Sequence, residues 1–355
     1  MAESFPMNGG DGTYSYTKNS QYQREASNIV KEIIDEAIAE KLDVKSLTST
    51  SPTIRIADLG CSVGPNTFIS MQNVIAAVEN KYYSQSLSTE KIEFQVFFND
   101  HVSNDFNSLF ASLSPDRQYF AAGVPGSFYE LLFPSSSLHF VHSAYALQWL
   151  SKVPEKLLDK NSPTWNKGRI HYTGASDDVV HAYTTEFEKG MEIFLNTRGK
   201  EIVGGGMMVL IIPGIPDDIN HSDLPAGVLF DFLGSSLLDM VNAGIIDEAQ
   251  VDSFNLPIYA ASPKEMSRLV ERNGNFTIEK IELTDPRSKI DAPVNVQALI
   301  MHLRAAMEGM FSQHFGRDVV DELFERTSQN CVEISDRLQS TYMKGTQLFI
   351  VLKRK

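Results

Sequence analysis

An acidic residue precedes two glycines in the run 58–66, Asp-Leu-Gly-Cys-Ser-Val-Gly-Pro-Asn. Glycine lets the backbone come close to a ligand that a Cβ atom would keep away. The spacing Gly60-x-x-x-Gly64 is not the G-x-G-x-x-G of dinucleotide sites, and no Gly-Lys-Ser/Thr follows it. The pattern suits a cationic, phosphate-free cofactor such as S-adenosylmethionine. Its amino group could pair with Asp58 or backbone carbonyls, and its ribose hydroxyls with Asp100. A strand-loop-helix without a ligand is the alternative.

The sequence pattern offers no catalytic acid, base or nucleophile. Cys61 lies beside the glycine turn, but a cysteine nucleophile needs an activating partner such as histidine. Since no such partner is identifiable, we interpret Cys61 as a small packed residue. His142 follows a predicted strand, where a histidine is more often structural.

A shared role in binding a cofactor requires a scaffold that brings Asp58 and Asp100 to one edge of a sheet. Residues 54–57 form a short apolar run typical of a buried parallel strand, and 67–80 carry apolar residues at helical spacing. Residues 94–98 predict a second strand, which ends beside Asp100. Strand, glycine turn and helix form the start of an open α/β sheet, whose ligand lies at the carboxyl ends of the strands.

The rest of the chain predicts more strands and an inserted helical cap. The predicted elements are a helix from 19 or 20 to 37, a helix opened by 103–107, a turn-dense loop at 123–129, a strand at 138–141, a helix at 180–198, a glycine break at 204–206, a strand at 207–212, mostly helical stretches at 226–274 and 290–340, and an antiparallel pair of 276–283 with 347–352.

Three large polar or aromatic residues, Tyr145, Gln148 and Trp149, follow the strand at 138–141. In an open sheet this segment faces the ligand crevice, so they are candidates for lining a pocket. Tyr145 and Trp149 are four residues apart, and the alternative is that they pack as part of a helical core.

Composition narrows the class of protein. Over 355 residues the net charge is −14, and no basic stripe exists to neutralise phosphates, which argues against a polyanionic substrate. Two cysteines allow no disulfide framework. The N-terminus lacks the basic start and apolar core of a signal peptide, and the apolar run 207–212 is far too short to span a membrane. We expect a soluble cytosolic protein.

Motifs along nearly the whole chain resemble the plant SABATH family of S-adenosylmethionine-dependent carboxyl methyltransferases. The matching stretches are 7–10 (Met-Asn-Gly-Gly), 15–16 with 19–20, 56–61 with 64–66, 98–100 with 104–107, 124–129 (Val-Pro-Gly-Ser-Phe-Tyr), 138–140 with 143–150, 166–168, 252–257 (Asp-Ser-Phe-Asn-Leu-Pro) and 314–316. No single stretch is decisive, but the ordered set is.

The resemblance implies a class I methyltransferase sheet (1–213, 275–289 and 345–355) with a helical cap (214–274 and 290–344), usually as a homodimer. The implied cofactor residues are Tyr16, Ser20, Asp58, Gly60, Cys61, Asn66, Asp100, His101, Ser127, Phe128 and Ser143. Gln23 and Trp149 would hold the substrate carboxylate, Tyr145 and Gln148 would flank it, and Phe230 and Leu303 would form the apolar wall. Asn166, Asp252, Phe254 and Asn255 fall where similar proteins bind a structural Mg²⁺.

Two positions and the longer local matches bear on the substrate. Asn8 replaces the Lys of some salicylate-type members, and Gln148 replaces a His or Met, which argues against salicylate. The stretches 98–101 and 165–174 look most like the loganic acid and farnesoic acid methyltransferase branch. The resemblance thus implies methyl esterification of a small iridoid or terpenoid acid by in-line displacement. N-methylation of a purine alkaloid and a silent cofactor-binding homologue are the alternatives.

Overall fold

The computed structural model describes residues 5–49, 51–85, 91–217, 219–288, 294–340 and 346–355. Its centre is one sheet with the order β3-β2-β1-β4-β5-β7-β6. The strands are β1 (Thr53–Leu59), β2 (Glu93–Asp100), β3 (Phe120–Pro125), β4 (Leu138–Ala144), β5 (Ile202–Pro213), β6 (Phe276–Thr284) and β7 (Gln347–Arg354). Strands β1 to β5 pair in parallel, whereas β7 is antiparallel to both β5 and β6. The predicted final antiparallel pair is confirmed.

Helices cover both faces of the sheet and build a separate layer beyond it. They are α1 (Tyr16–Asn19), α2 (Gln21–Ile29), α3 (Lys31–Lys41), α4 (Val44–Leu47), α5 (Pro65–Gln85), α6 (Phe106–Ala111), α7 (Asp177–Glu201), α8 (Pro225–Asn242), α9 (Glu248–Asp252), α10 (Pro263–Asn273), α11 (Val296–Phe315), α12 (Arg317–Gln329) and α13 (Cys331–Ser340). In the described part of the chain, no helix is long and apolar enough to cross a membrane.

Alternation along the strands divides the core between the two faces of the sheet. Ile54 and Ile56 point into a cluster with α3 and α5, whereas Ala57 and Leu59 join the cluster under α7. This follows from the period of two residues in a strand. A third apolar cluster lies among α8, α11, α12 and α13, and forms the cap.

Two predictions about the strands were wrong. The segment predicted as a loop at 123–129 begins as β3, which pairs with β2 at the edge of the described sheet and is exposed or half-buried along its length. Its residues lack the apolar alternation of a half-buried strand, so the pattern gave no signal. The glycines at 204–206 lie inside β5 and not before it, where the register of β4 against β5 shifts.

The predicted helix from 19 or 20 to 37 is divided, because α1, α2 and α3 are separated at Ser20 and Val30. The division of the chain into core and cap stays a prediction. That division places α10 in the cap, but its residues Met266, Leu269 and Val270 pack in the core cluster under α7.

Candidate active site

The turn after β1 can only be made by glycine at position 60. Gly60 has a φ of +81°, and a Cβ there would lie 2.3 Å from the Cβ of Ala146. The amides of Gly60 and Cys61 both donate to the carbonyl of Asn99, each at 2.9 Å. The turn is thus closed onto the end of β2, with its backbone fixed at the edge where the strands end.

Asp100, at the end of β2, is arranged to accept hydrogen bonds. The amide of Ser62 donates to its Oδ2 at 2.7 Å, and the amide of His101 donates to Oδ1 at 2.8 Å. Burial raises the pKa of this carboxyl, while the two amides oppose that shift. Each oxygen keeps a lone pair beyond the amide it binds, so the carboxylate can still accept from the hydroxyls of a ribose.

Asp58 is already engaged within the protein. Its carboxylate accepts from the hydroxyl of Thr67 and lies 2.7 Å from Nδ1 of His142, and all three residues are buried. The Asp58 carboxylate therefore ties β1 to β4 and to the start of α5. Each Asp58 oxygen also keeps a lone pair, so Asp58 and backbone carbonyls both stay predictions as partners for the amino group of a cofactor. Ser143 is likewise engaged, because its hydroxyl donates to the carbonyl of Leu59 at 2.9 Å.

The predicted residues from the N-terminal helices reach the same strand ends. Asn66, at the start of α5, donates to the carbonyl and hydroxyl oxygens of Ser20, each at 3.0 Å. Burial, and then the nearby Asp100, raise the pKa of the Tyr16 phenol, which places Tyr16 close to that carboxylate. Burial also raises the pKa of the Cys61 thiol, so the thiol stays protonated, as expected of a packed residue.

The loop after β3 carries Ser127 and Phe128 and is held from beneath by a buried ion pair. Arg198 Nε lies 2.8 Å from Oε2 of Glu201, and both side chains are fully buried. Arg198 also donates to the carbonyl of Phe128 at 2.9 Å, while Glu201 accepts from the amides of Leu132 and Phe133. No motif in the sequence indicates this pair, because α7 lies far from the loop in the chain.

A cavity of about 470 Å³ opens next to these strand ends. All of the predicted substrate residues line it, namely Gln23, Tyr145, Gln148, Trp149, Phe230 and Leu303. Much of the remaining wall is aliphatic and comes from α8, α11 and the segment before α10, including Leu224, Leu229, Ile258, Leu299 and Met307. The predicted cofactor residues, which the structure also describes, lie outside this lining. The two predicted sets therefore form adjoining but separate sites.

Tyr145 and Trp149 do not form the helix that was one alternative. Tyr145 has a φ of +53°, a conformation that ends β4 and is unfavourable for a bulky residue. Its amide donates to the carbonyl of Ile211, and its phenol donates to the side chain of Gln347. Within the described residues, the indole N–H of Trp149 donates to no protein atom, which leaves it available to a ligand in the cavity.

Two amide side chains define the polar end of the cavity. Gln148 donates to the carbonyl of Tyr145 at 2.8 Å, and its own Oε1 is buried without a partner among the described residues. Nε2 of Gln23 lies 2.6 Å from Nε2 of His302, and Oε1 of Gln23 is also buried without such a partner. His302 was not predicted, because it lies in a helical stretch with no local signal.

The four residues predicted to hold Mg²⁺ lie close together. Asn166 donates to Oδ1 of Asn255 at 2.8 Å, and the amide of Gly168 donates to Asp252 at 2.8 Å. The amide nitrogen of Asn255 is buried without a partner in the described part of the chain. One carboxylate, two amide groups and the backbone carbonyl of Phe254 offer the oxygen ligands that a hard cation prefers. Among the described residues, no group of three or more His, Cys, Asp or Glu side chains is placed to hold a metal ion.

Comparison with known proteins decides the family. The sequence profile described as "SAM dependent carboxyl methyltransferase" matches residues 2–355. The chain belongs to this family. Loganic acid O-methyltransferase of Catharanthus roseus is 48% identical over 356 residues, covering 99% of this chain and 95% of the relative. Farnesoic acid carboxyl-O-methyltransferase of Arabidopsis thaliana is 41% identical over 354 residues, covering 100% of both.

A solved structure of loganic acid methyltransferase with SAH matches with a TM-score of 0.94 and 48% identity, covering 99% of each chain. The predicted SABATH membership and class I methyltransferase fold are thereby confirmed. This carboxyl methyltransferase uses S-adenosylmethionine as its methyl donor and methylates carboxylic acids. The structural observations agree, since the Gly60 turn and the Asp100 carboxylate form a cradle suited to that cofactor.

Proposed function

We propose that this methyltransferase esterifies a small, partly apolar plant acid of the iridoid or terpenoid kind. The observation that carries the proposal is the cavity, whose lining combines many aliphatic side chains with the N–H donors of Gln23 and Trp149. Its volume of about 470 Å³ lies in the range of small-molecule sites. Loganic acid and farnesoic acid, named for the two relatives, are the first candidates.

We propose that the predicted cofactor-binding residues hold S-adenosylmethionine through both backbone groups and side chains. Asp100 accepts from the ribose hydroxyls, backbone carbonyls at the Gly60 turn receive the amino group, and Phe128 packs beside the turn. Tyr16, Ser20, Cys61, Asn66, His101, Ser127 and Ser143 complete the surroundings, partly by holding the turn in place. When bound, S-adenosylmethionine supplies an electrophilic methyl group that a carboxylate can take by direct displacement.

The protein's own task is then to position the acid. A carboxylic acid with a pKa of about 4 is already ionised at neutral pH, so no base is needed. The histidines that line the cavity agree with this, since burial lowers the pKa of His171 to about 3 and that of His302 to about 4. Gln23 and Trp149 donate N–H bonds that orient the carboxylate without protonating it. Orientation of this kind can contribute roughly 7–11 kcal/mol to a reaction between bound partners.

A substrate panel tests the proposal. Purified enzyme is given labelled S-adenosylmethionine with loganic, farnesoic, salicylic, jasmonic or benzoic acid, or with a xanthine. We expect a base-labile methyl ester, formed fastest from loganic or farnesoic acid. A base-stable product from the xanthine would replace the proposal with N-methylation. Binding of the cofactor product without any turnover would indicate a silent homologue.

We further propose that Asn166, Asp252, Phe254 and Asn255 hold a structural Mg²⁺, which joins the loop before α7 to the segment after α9. Addition of Mg²⁺ should raise the melting temperature of the wild type, and Asp252→Ala should abolish that rise. A homodimer and a cytosolic location are also proposals, resting on the family resemblance and the sequence. Light scattering during size-exclusion chromatography and imaging of a fluorescent fusion test them.

A further inference from the structure

The ring of His302, in α11, contacts both α1 and α2. Its Nδ1 lies 2.9 Å from the carbonyl oxygen of Asn19, the last residue of α1. Its Nε2 lies 2.6 Å from the side-chain nitrogen of Gln23 in α2. His302 therefore contacts the residue that is proposed to hold the substrate carboxylate, from the side of the cap.

The carbonyl of Asn19 decides which ring nitrogen carries the proton. A carbonyl oxygen can only accept, so Nδ1 must be the donor. Burial lowers the pKa of His302 to about 4, so the ring is neutral at physiological pH. In a neutral imidazole with a proton on Nδ1, Nε2 can only accept. The arrangement thus presents a lone pair to Gln23.

That lone pair decides the orientation of the Gln23 amide. Gln23 must direct its N–H toward Nε2 of His302, because its oxygen would face another acceptor at 2.6 Å. Rotation of the amide by half a turn is therefore disfavoured. The consequence is visible at the other end of the amide, where Oε1 is buried and has no partner among the described residues. Because that end of the amide has no partner in the described protein in either orientation, the orientation is set by His302.

We propose that His302 is a positioning residue for methyl transfer, whose neutral Nδ1–H tautomer holds the Gln23 amide so that its second N–H serves the acid substrate. This deepens the proposed function, since it rests on Gln23 as a donor to the carboxylate. A rotated amide would present its oxygen to a negative charge. His302 thus prevents a repulsive contact in addition to supporting an attractive one.

Kinetics of two variants of His302 test the proposal, with S-adenosylhomocysteine binding as the readout for the cofactor side. His302→Phe keeps a flat ring but removes the acceptor, and we expect the KM for the acid to rise by about tenfold or more. His302→Gln offers an N–H for Asn19 and an oxygen for Gln23, and should return the KM to within about threefold of the wild type. Cofactor-product affinity should stay within about twofold in both variants.

A double-mutant cycle separates positioning from general packing. Gln23→Ala should raise the KM for the acid, and adding His302→Phe should increase that rise by less than about twofold, because His302 acts through Gln23. His139→Gln is the matched control: burial also lowers the pKa of His139 to about 4, but its ring accepts from the amide of Arg55, away from the cavity. Its KM should match the wild type. Losses that multiply in the double variant, or a His302→Phe enzyme with normal KM, would overturn the proposal.

A spectroscopic readout does not depend on turnover or on the folding of His302→Phe. Ring nitrogens of ¹⁵N-histidine protein are recorded at neutral pH, and the signals lost in His302→Gln are those of His302. We expect a protonated Nδ1 and an unprotonated Nε2. The opposite tautomer, or protons on both nitrogens, would overturn the proposal. If the wild type methylates no acid in the panel, the proposed function fails, while this spectrum still decides the tautomer.

Discussion

The cofactor cradle and the substrate cavity lie side by side but are built differently. The cradle is formed by strand ends and the turns that follow them, and its two carboxylates are bonded to neighbouring side chains or to the backbone. Asp58, for example, is bonded to His142, and Asp100 is held by the amides of Ser62 and His101. Both carboxylates are therefore held in place before any ligand binds.

The cavity is assembled from helices that are distant in the chain, and it is mainly aliphatic. Among the polar groups of its lining, the side-chain oxygens of Gln23 and Gln148 are buried and have no partner in the described part of the chain. An unbonded buried group favours a ligand that can bond to it and disfavours one that cannot. The cradle thus holds its carboxylates in place for a cofactor that does not vary. The cavity has unbonded oxygens that can discriminate among substrates.

The cradle should be the half most sensitive to a single added methyl group. Gly60→Ala places a Cβ 2.3 Å from Ala146 at a φ of +81°. Overpacking costs about 1–3 kcal/mol, and the left-handed backbone adds roughly 1–2 kcal/mol. We expect affinity for S-adenosylhomocysteine, measured by calorimetry, to fall by about 100-fold or more.

Gly205→Ala is the matched control for this variant. Gly205 has a φ of +79° but nothing within 4 Å of its would-be Cβ, so it adds the strain without the contact. It should lower the melting temperature and leave cofactor affinity unchanged. Equal losses of affinity in the two variants would show that the close approach to Ala146 is unimportant.

The role of the cavity can be tested by a substitution that lies outside the cradle. Trp149→Phe keeps the aromatic surface and removes the indole N–H that is proposed to hold the carboxylate. A hydrogen bond to a charged group contributes about 1.5–3 kcal/mol, so the KM for the acid should rise by about 10- to 100-fold. Affinity for S-adenosylhomocysteine should not change. A loss of cofactor affinity in this variant would mean that the two halves are not separate.

The same difference explains what the sequence could predict. Residues of the cradle are close together in the chain, and a strand followed by a glycine turn places Asp58 and Asp100 at one edge whatever the distant packing. The family resemblance then supplied Gln23, Phe230 and Leu303, which the structure brings to one cavity. Periodicity alone would not have found them, because their helices meet only in the tertiary fold.

What the sequence could not predict depends on contacts between distant segments. His302 and Gln23 are 279 residues apart, and Arg198 reaches Phe128 across 70. Neither contact belongs to a motif. The edge strand β3 was missed for a different reason, since an exposed strand with a glycine and a proline lacks the apolar pattern on which strand prediction depends.

The contributions of His302, in the cavity, and of Asp100, in the cradle, to the free energy of unfolding should change with pH in opposite directions. Burial lowers the pKa of His302 from 6.5 to about 4, so between these values the unfolded chain binds the proton more tightly. The contribution of His302 to the free energy of unfolding therefore rises with pH across this window and is lost as the pH falls. Burial raises the pKa of Asp100 from 3.8, so its contribution falls as the pH rises above that value.

Urea unfolding between pH 4 and pH 7 measures both effects as changes of slope relative to the wild type. His302→Gln should make the unfolding free energy rise less steeply with pH between about 4 and 6.5, by up to one proton. Asp100→Asn should make it rise more steeply just above about pH 4, because a group with a raised pKa has been removed. Slopes that change in the same direction in both variants would contradict the opposed electrostatics of the two halves.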